Sequence, residues 1–226
     1  MRIAINVLTV TLFMLISYSF AADSAPEVIT KMVTPVKLIF SDELKTGFND
    51  QWKVAKGKWE HSGDGIKVAE LKEDMHGAAA RHTITFSDCV VKFNFKLEGA
   101  KSISLSFNGT KGHICRVAVK PNGFSVIKDN QDKKAGDKAI NLQNQETPIK
   151  TGEWHSMVVE LRGPDILATL DGKVTAFGTH PAIDKEKANF GFTVSGEIAS
   201  FRDIKLYSGN LVKDWDKNKE LLLKNK

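Results

Sequence analysis

The sequence predicts an all-β protein, an antiparallel two-sheet sandwich with a short C-terminal helix, and three observations carry that expectation. In residues 151–177, TGEWHSMVVELRGPDILATLDGKVTAF, the side chains Met157, Val159 and Leu161 alternate with Ser156, Glu160 and Arg162, which is the period of a half-buried strand. The same alternation recurs in 88–97, 102–108, 113–119 and 188–194. The length of 226 residues, 42% of them hydrophobic, suits one large sandwich with a sizeable core.

The elements follow in chain order. Met1 and Arg2 form a short positive n-region, residues 3–16 are apolar, and Ser19-Phe20-Ala21 places small residues where a signal peptidase reads, so residues 1–21 are expected to be a signal peptide cleaved after Ala21. The apolar stretch is interrupted by Asn6, Thr9 and Thr11 and falls short of the ~20 residues that span a bilayer. The mature chain is therefore expected in the periplasm or outside the cell, with no integral membrane segment. Residues 22–36, with Ser24, Pro26 and Pro35, read as a tether, and 37–208 as the sandwich. Within the sandwich, Gly163-Pro164-Asp165 turns the chain, the next strand runs from Ile166 to Leu170, and Asp171-Gly172 suits a tight hairpin turn before a strand starting at Lys173. Residues 209–226 form a tail in which Leu211, Val212, Trp215, Leu221, Leu222 and Leu223 recur at helical spacing. That tail reads as a helix packing Trp215 and its leucines onto the sandwich, the alternative being a basic helix on a membrane surface.

The net charge is +5, and loss of Arg2 with the leader lowers it to +4. Basic residues are scattered among acidic ones and no basic run is interleaved with aromatics, so no nucleic-acid partner is expected. Export permits a disulfide between Cys89 and Cys115. If 88–97, 102–108 and 113–119 form a simple meander, however, Cys89 lies two strands from Cys115 and out of register, beyond the ~7 Å Cα separation that a bridge tolerates. Both cysteines alternate with apolar residues and read as small core hydrophobes.

Alternation also assigns the outer face. It collects Lys92, Asn94, Ser104, Arg116 and Thr193 as candidate ligand-binding residues, with Ser106 and Asn189 as neighbours. Amide, hydroxyl and guanidinium groups on a rigid sheet can bind sugar hydroxyls or a carboxylate. The competing reading is a solvated polar face. Arg116, a planar donor among short side chains, favours a site. The six histidines form no ligand motif, and no metal or cofactor is expected. The loop 128–138 carries Asp129, Asp132 and Asp137 as candidate calcium ligands, but without EF-hand spacing a solvated hairpin loop is the simpler reading.

Several of these segments together resemble a known family. The 151–177 block, Phe40-Ser41-Asp42-Glu43-Leu44, Trp52-Lys53-Val54 with Gly57-Lys58-Trp59-Glu60, Lys187-Ala188-Asn189-Phe190-Gly191-Phe192, and Ser200-Phe201-Arg202-Asp203-Ile204-Lys205 are similar to the 3-keto-disaccharide hydrolase-like family, formerly a domain of unknown function, over residues 38–207. The resemblance implies a concanavalin A-like jelly roll of bacterial secreted proteins, a glycan ligand and hydrolase-like activity. It implies a core position for Trp154, while Trp52 and Trp59 read as half buried at the sandwich edge. The family's G-Y-E-V-Q strand aligns with Gly112-His113-Ile114-Cys115-Arg116, which puts Ile114 at the Glu and Arg116 at the Gln. No pair of catalytic carboxylates is recognisable. His76 or His113 is the candidate acid or base. A non-catalytic module binding carbohydrate or protein through the concave face is the alternative.

Overall fold

The computed structural model describes residues 28–63, 65–131 and 136–224. The expected leader and residues 22–27 lie outside them. Among the described residues the chain forms thirteen strands and one helix: β1 (Val33–Asp42), β2 (Trp52–Lys56), β3 (Lys58–Ser62), β4 (Gly65–Ala69), β5 (Ala78–Phe86), β6 (Cys89–Asn108), β7 (His113–Lys120), β8 (Gly123–Lys128), β9 (Ile140–Glu146), β10 (His155–Arg162), β11 (Asp165–Leu170), β12 (Val174–Thr179), β13 (Lys187–Leu211) and α1 (Trp215–Lys224). All the pairings between these strands are antiparallel.

Two long strands organise the rest. β6 and β13 pair from Asn108 with Asn189 to Val90 with Tyr207. The first half of β6 borders β10 and its second half borders β7, while β13 takes β5, β4 and β1 in turn along its other edge. The pair thus belongs to both layers of a jelly-roll sandwich. One layer runs β12-β11-β10-β6-β13 with β1, β4 and β3 beyond; the other runs β9-β8-β7-β6-β13-β5-β2. Register shifts between Ser195 and Ala199 mark the bend. There Gly196 has φ +89°, and a Cβ would stand 2.8 Å from the Lys101 nitrogen, so no other residue fits without strain.

Inward-facing residues of both layers fill a single core. Phe93 and Phe95 from one half of β6 join Leu105 and Phe107 from the other, with Phe190, Phe192 and Phe201 of β13. Phe192 lies 5.1 Å from Phe93 and 4.7 Å from Phe201 between ring centres. Each such ring contributes roughly 1.5–3 kcal/mol by leaving water.

Residues 88–97 and 102–108 are one continuous strand rather than two legs of a meander. Gly99 and Ala100 form an irregularity within β6, and Ala100 is buried opposite Gly196 instead of turning the chain. Cys89 pairs with Leu161 and Cys115 with Phe107, toward opposite ends of β6. Both are free buried thiols, and burial raises the pKa of Cys115 to about 12 and that of Cys89 further. Asp171 and Gly172 both have positive φ, as the turn requires, and the following strand starts at Val174, one residue later than expected.

The structure corrects the reading of the tether and of Glu160. β1 begins at Val33, inside the segment assigned to the tether, and Val28, Met32 and Val33 are buried. They join Val90, Val158, Leu167, Phe177 and Trp215 in a second apolar cluster, on the outer side of the β10-β11 layer. Glu160, on the polar side of β10 by alternation, is fully buried there. Its carboxylate accepts from the backbone N–H groups of Lys31 (3.0 Å), Met32 (2.7 Å) and Val33 (2.7 Å). Burial raises its pKa while those donors act in the opposite direction. The C-terminal helix packs as expected through Trp215, whose Nε1 donates to Asp165 at 3.2 Å, with Lys219 on the same carboxylate at 2.8 Å. Leu222 packs on the cluster, whereas Leu221 and Leu223 stay exposed.

Glu160→Ala strands three backbone donors and should cost about 3 kcal/mol or more in urea unfolding. A loss under about 1 kcal/mol would mean that apolar contacts alone hold residues 28–33.

Candidate functional site

The outer face of the β5-β13-β6-β7-β8 layer carries an open cleft of about 490 Å³. Its floor is built from rows of cross-strand neighbours, because residues of like parity on adjacent strands share a face. One row reads Arg81, Gly191, Ser106, Arg116, Ile127 across β5, β13, β6, β7 and β8. The next reads Ala79, Thr193, Ser104, Ala118, Ser125. With strands ~4.8 Å apart, the two arginine Cα atoms of the first row stand roughly 14 Å apart. Between them only hydrogen and hydroxymethyl groups rise from the sheet. A Cβ at Gly191 would meet the Ala80 oxygen at 2.4 Å and Arg81 Cγ at 2.8 Å, so glycine there leaves room for the Arg81 stem. Ser102, Ser195, Lys120, His76 and His113 also line it.

His113 is the best-defined group of this cleft. Its Nδ1 lies 2.5 Å from Asn108 Oδ1, and Asn108 Nδ2 in turn donates to Asn189 Oδ1 at 2.6 Å. Because the Asn108 amide spends its NH₂ on Asn189, its oxygen faces the histidine as an acceptor and the ring carries its proton on Nδ1. Nε2 is left as a lone-pair acceptor. Burial lowers the His113 pKa below its ordinary 6.5, opposed by Asp129 and assisted by Arg81 and Arg116. His113 is therefore a neutral base at pH 7.

Arg116 has a structural partner. Its Nη1 lies 2.5 Å from Asp129 Oδ1, with 34% of the arginine side chain exposed against 4% of the aspartate. Burial raises the Asp129 pKa, against the pull of Arg116 and His113. Asp129 Oδ2 is buried with no hydrogen-bond partner among the described residues.

Of the five candidate residues, Ser104, Arg116 and Thr193 come together in the cleft, Thr193 directly beside Ser104. Lys92 and Asn94 do not. They lie on the first half of β6, in the other layer, so their outward side chains leave the opposite face of the sandwich. There Asn94 Nδ2 donates to Asp203 Oδ2 at 2.9 Å, and Lys92 is opposite Lys205. Ser106 belongs to the floor, and Asn189 belongs to the amide chain behind His113. Trp154 is not a core residue: it lies half buried, with the Arg202 guanidinium 4.1 Å and Lys96 Nζ 5.3 Å from its ring centre. Trp52 is buried, stacked on Phe48 at 4.5 Å, and Trp59 is partly buried beside the same ring. Ile114 is buried, so the position that the resemblance aligns with a glutamate is apolar here. In the loop proposed for calcium, Asp129 pairs with Arg116 and Asp137 with Lys128, while Asp132 lies outside the described residues. Arg81 is the functional candidate missed from sequence. Its signal is present: in Ala79-Ala80-Arg81-His82 the arginine has the parity opposite to buried Ala80 and His82.

Arg116→Ala is expected to cost about 3 kcal/mol of stability, since it leaves the Asp129 carboxylate buried and unpaired. Adding Asp129→Asn should restore most of that loss in a double-mutant cycle read by thermal melts. Additive losses would mean that the two side chains act independently.

Comparison with known proteins places this geometry in a family. The family model described as a 3-keto-alpha-glucoside-1,2-lyase-like domain matches residues 43–207. No curated protein matches the chain. Among solved structures, the carbohydrate binding module CBM66 from Bacillus subtilis superposes with a TM-score of 0.58 at 17% identity, covering 70% of this chain and 96% of its own. A non-specific endo-beta-1,3(4)-glucanase from family GH16 gives 0.58 at 8% identity, covering 79% and 96%. The Bacillus licheniformis beta-glucanase gives 0.54 at 10% identity, covering 76% and 98%. At these identities the structural likeness speaks for the sandwich fold. The family match spans most of the chain, and the chain belongs to that family.

Proposed function

We propose that this member of the 3-keto-alpha-glucoside-1,2-lyase-like family binds a glycoside in the cleft between Arg81 and Arg116 and that His113 takes a proton from it. The observation that carries the reading is the His113-Asn108-Asn189 chain, which fixes a neutral imidazole with an unprotonated Nε2 in the lining of a cleft floored by hydroxyl groups. The family description names the chemistry that such a base serves. In a sugar oxidised at C3, the C2 hydrogen is acidified by the neighbouring carbonyl. Transfer of that proton to His113 Nε2 leaves an enolate; its collapse forms the C1–C2 double bond and breaks the C1–O bond, and the departing oxygen takes up a proton. Arg116, which lines the same cleft with part of its guanidinium exposed beside Asp129, offers N–H donors for the enolate oxygen. Hydrolysis would follow if water then added to the product.

Binding without turnover is the second reading, favoured by Ile114, which supplies no carboxylate where the family pattern expects one. The carbohydrate binding module among the structural neighbours has the same fold. In either case the ligand is a carbohydrate, and the N-terminal residues 1–21 suggest that the protein meets it after export. A purely protein-binding role would leave the histidine's fixed tautomer without a use.

Incubation with 3-keto-glycosides and their unoxidised parents, followed by NMR, tests these readings. Turnover of the keto-sugars is expected, and His113→Gln should reduce it by about 100-fold or more while ligand shifts persist. Chemical shifts without products in the wild type would establish the binding module instead.

The acid limb of kcat/KM should fall below pH 6.5, because the base is active only when unprotonated and its pKa lies under that ordinary value. A limb above pH 6.5 would exclude His113 as the base.

A further inference from the structure

The charges around the cleft are unbalanced in one direction. Its lining holds Arg81, Arg116 and Lys120 with two imidazoles, and no carboxylate. Two acids stand close by, one paired with a cation and one held by neutral donors that leave its charge in place, so the excess is carried by Arg81 and Lys120 against Glu70. Asp129 lies beneath the floor against Arg116. Glu70 sits at one end, where its carboxylate accepts from Ser195 Oγ at 3.1 Å and Gly196 N at 2.7 Å. Arg116 and Asp129 thus form a neutral pair, and Arg81 and Lys120, both exposed, make no ion pair among the described residues. Their fields converge over a concave floor, where low-dielectric walls concentrate potential. A neutral sugar gives Arg81 and Lys120 only hydroxyl groups to bind and leaves their charge uncompensated.

We infer that the ligand is an acidic glycoside, bearing a carboxylate or a sulfate ester that the Arg81 guanidinium holds, with Lys120 adding attraction from the far rim. The inference rests on the glycoside reading of the cleft and adds its substrate class. Arg81 suits the role on geometry. Its stem lies over Gly191, where a Cβ would meet Arg81 Cγ at 2.8 Å, so a sugar ring lying beside it over Ser106 and Ser104 places a ring substituent within reach of the guanidinium fork. A planar fork of N–H donors matches a carboxylate or sulfate oxygen pair, and the exposed position leaves it free of the fold's own needs.

The test is calorimetric titration of the full chain with three disaccharides: one ending in glucuronic acid, its glucose counterpart, and that counterpart carrying a 6-O-sulfate. At least one acidic sugar should bind about tenfold more tightly than the neutral one at low salt, with the advantage shrinking as salt rises. Arg81→Gln should remove most of the preference, lowering affinity for the acidic sugars far more than for the neutral one, and Lys120→Gln should reduce the preference. The two acidic sugars separate carboxylate from sulfate as the source of charge. Equal affinity for all three would overturn the inference and leave the glycoside reading intact. Binding of none of them, with no NMR shift at His113 or Arg116 in the presence of keto-glycosides, would overturn both.

Discussion

The pairing of β6 with β13 along nearly their whole length is the constraint on which the rest of the molecule depends. A strand that belongs to two layers must bend where it crosses between them, and here the bend falls at Gly196 and the irregular register beside it. Because inward residues of both halves meet in one core, outward residues of the two halves leave the protein on opposite sides. This separates Ser104 from Asn94, ten positions apart on the same strand. It also places Thr193 beside Ser104 and Arg81 in line with Arg116, although the four residues come from four strands. The cleft is a product of register before it is a product of residue type.

The two outer faces then take different fates. Over β10 and β11, residues 28–33 and the C-terminal helix bury a second apolar cluster, and Glu160 and Asp165 anchor residues 31–33 and the helix with charge-assisted hydrogen bonds. The energetic logic is the same at both anchors. A carboxylate moved out of water is tolerable only when its lone pairs meet donors, and the donors here belong to segments that would otherwise be loose. The opposite layer keeps its outer face open and lines it with short hydroxyl side chains. A sheet with serine and alanine on its surface lets a ring approach the backbone closely, which long side chains would prevent.

Much of this is legible in the sequence because a strand's period of two survives without knowledge of its partners. Alternation alone identifies Ser104, Arg116 and Thr193 as outward-facing, and Phe93, Leu105 and Phe192 as inward-facing. What alternation cannot supply is pairing. Lys92 and Asn94 carry the right chemistry and the right parity, yet they lie on the wrong side of the sandwich, because Gly99-Ala100 reads as a turn in the sequence and is a bend within one strand. Glu160 looks solvent-facing until the preceding segment is seen to cover it. Asp129 looks like a loop ligand for a metal until Arg116, on the adjacent strand, is seen to reach it. Each of these departures is a long-range contact, and a local pattern holds no information about such contacts.

The histidine at the head of β7 shows how the same register holds a common residue in one tautomer. A lone imidazole on a sheet edge titrates near its ordinary pKa and exchanges tautomers freely. Here Asn108 and Asn189 are themselves cross-strand partners, so their amides are held in sequence and the chain of donors has only one consistent direction. Partial burial then disfavours the imidazolium, and the nearby guanidiniums add to that effect. A glutamate at position 114 would act through a negative charge that the same guanidiniums would hold tightly, which weakens it as a base. A neutral imidazole is not subdued in that way. The cationic character of the cleft and the proposed use of histidine rather than a carboxylate as a base are therefore compatible: positive charge that would suppress a carboxylate's basicity leaves the lone pair of a neutral imidazole available and is itself free to meet negative charge on a ligand.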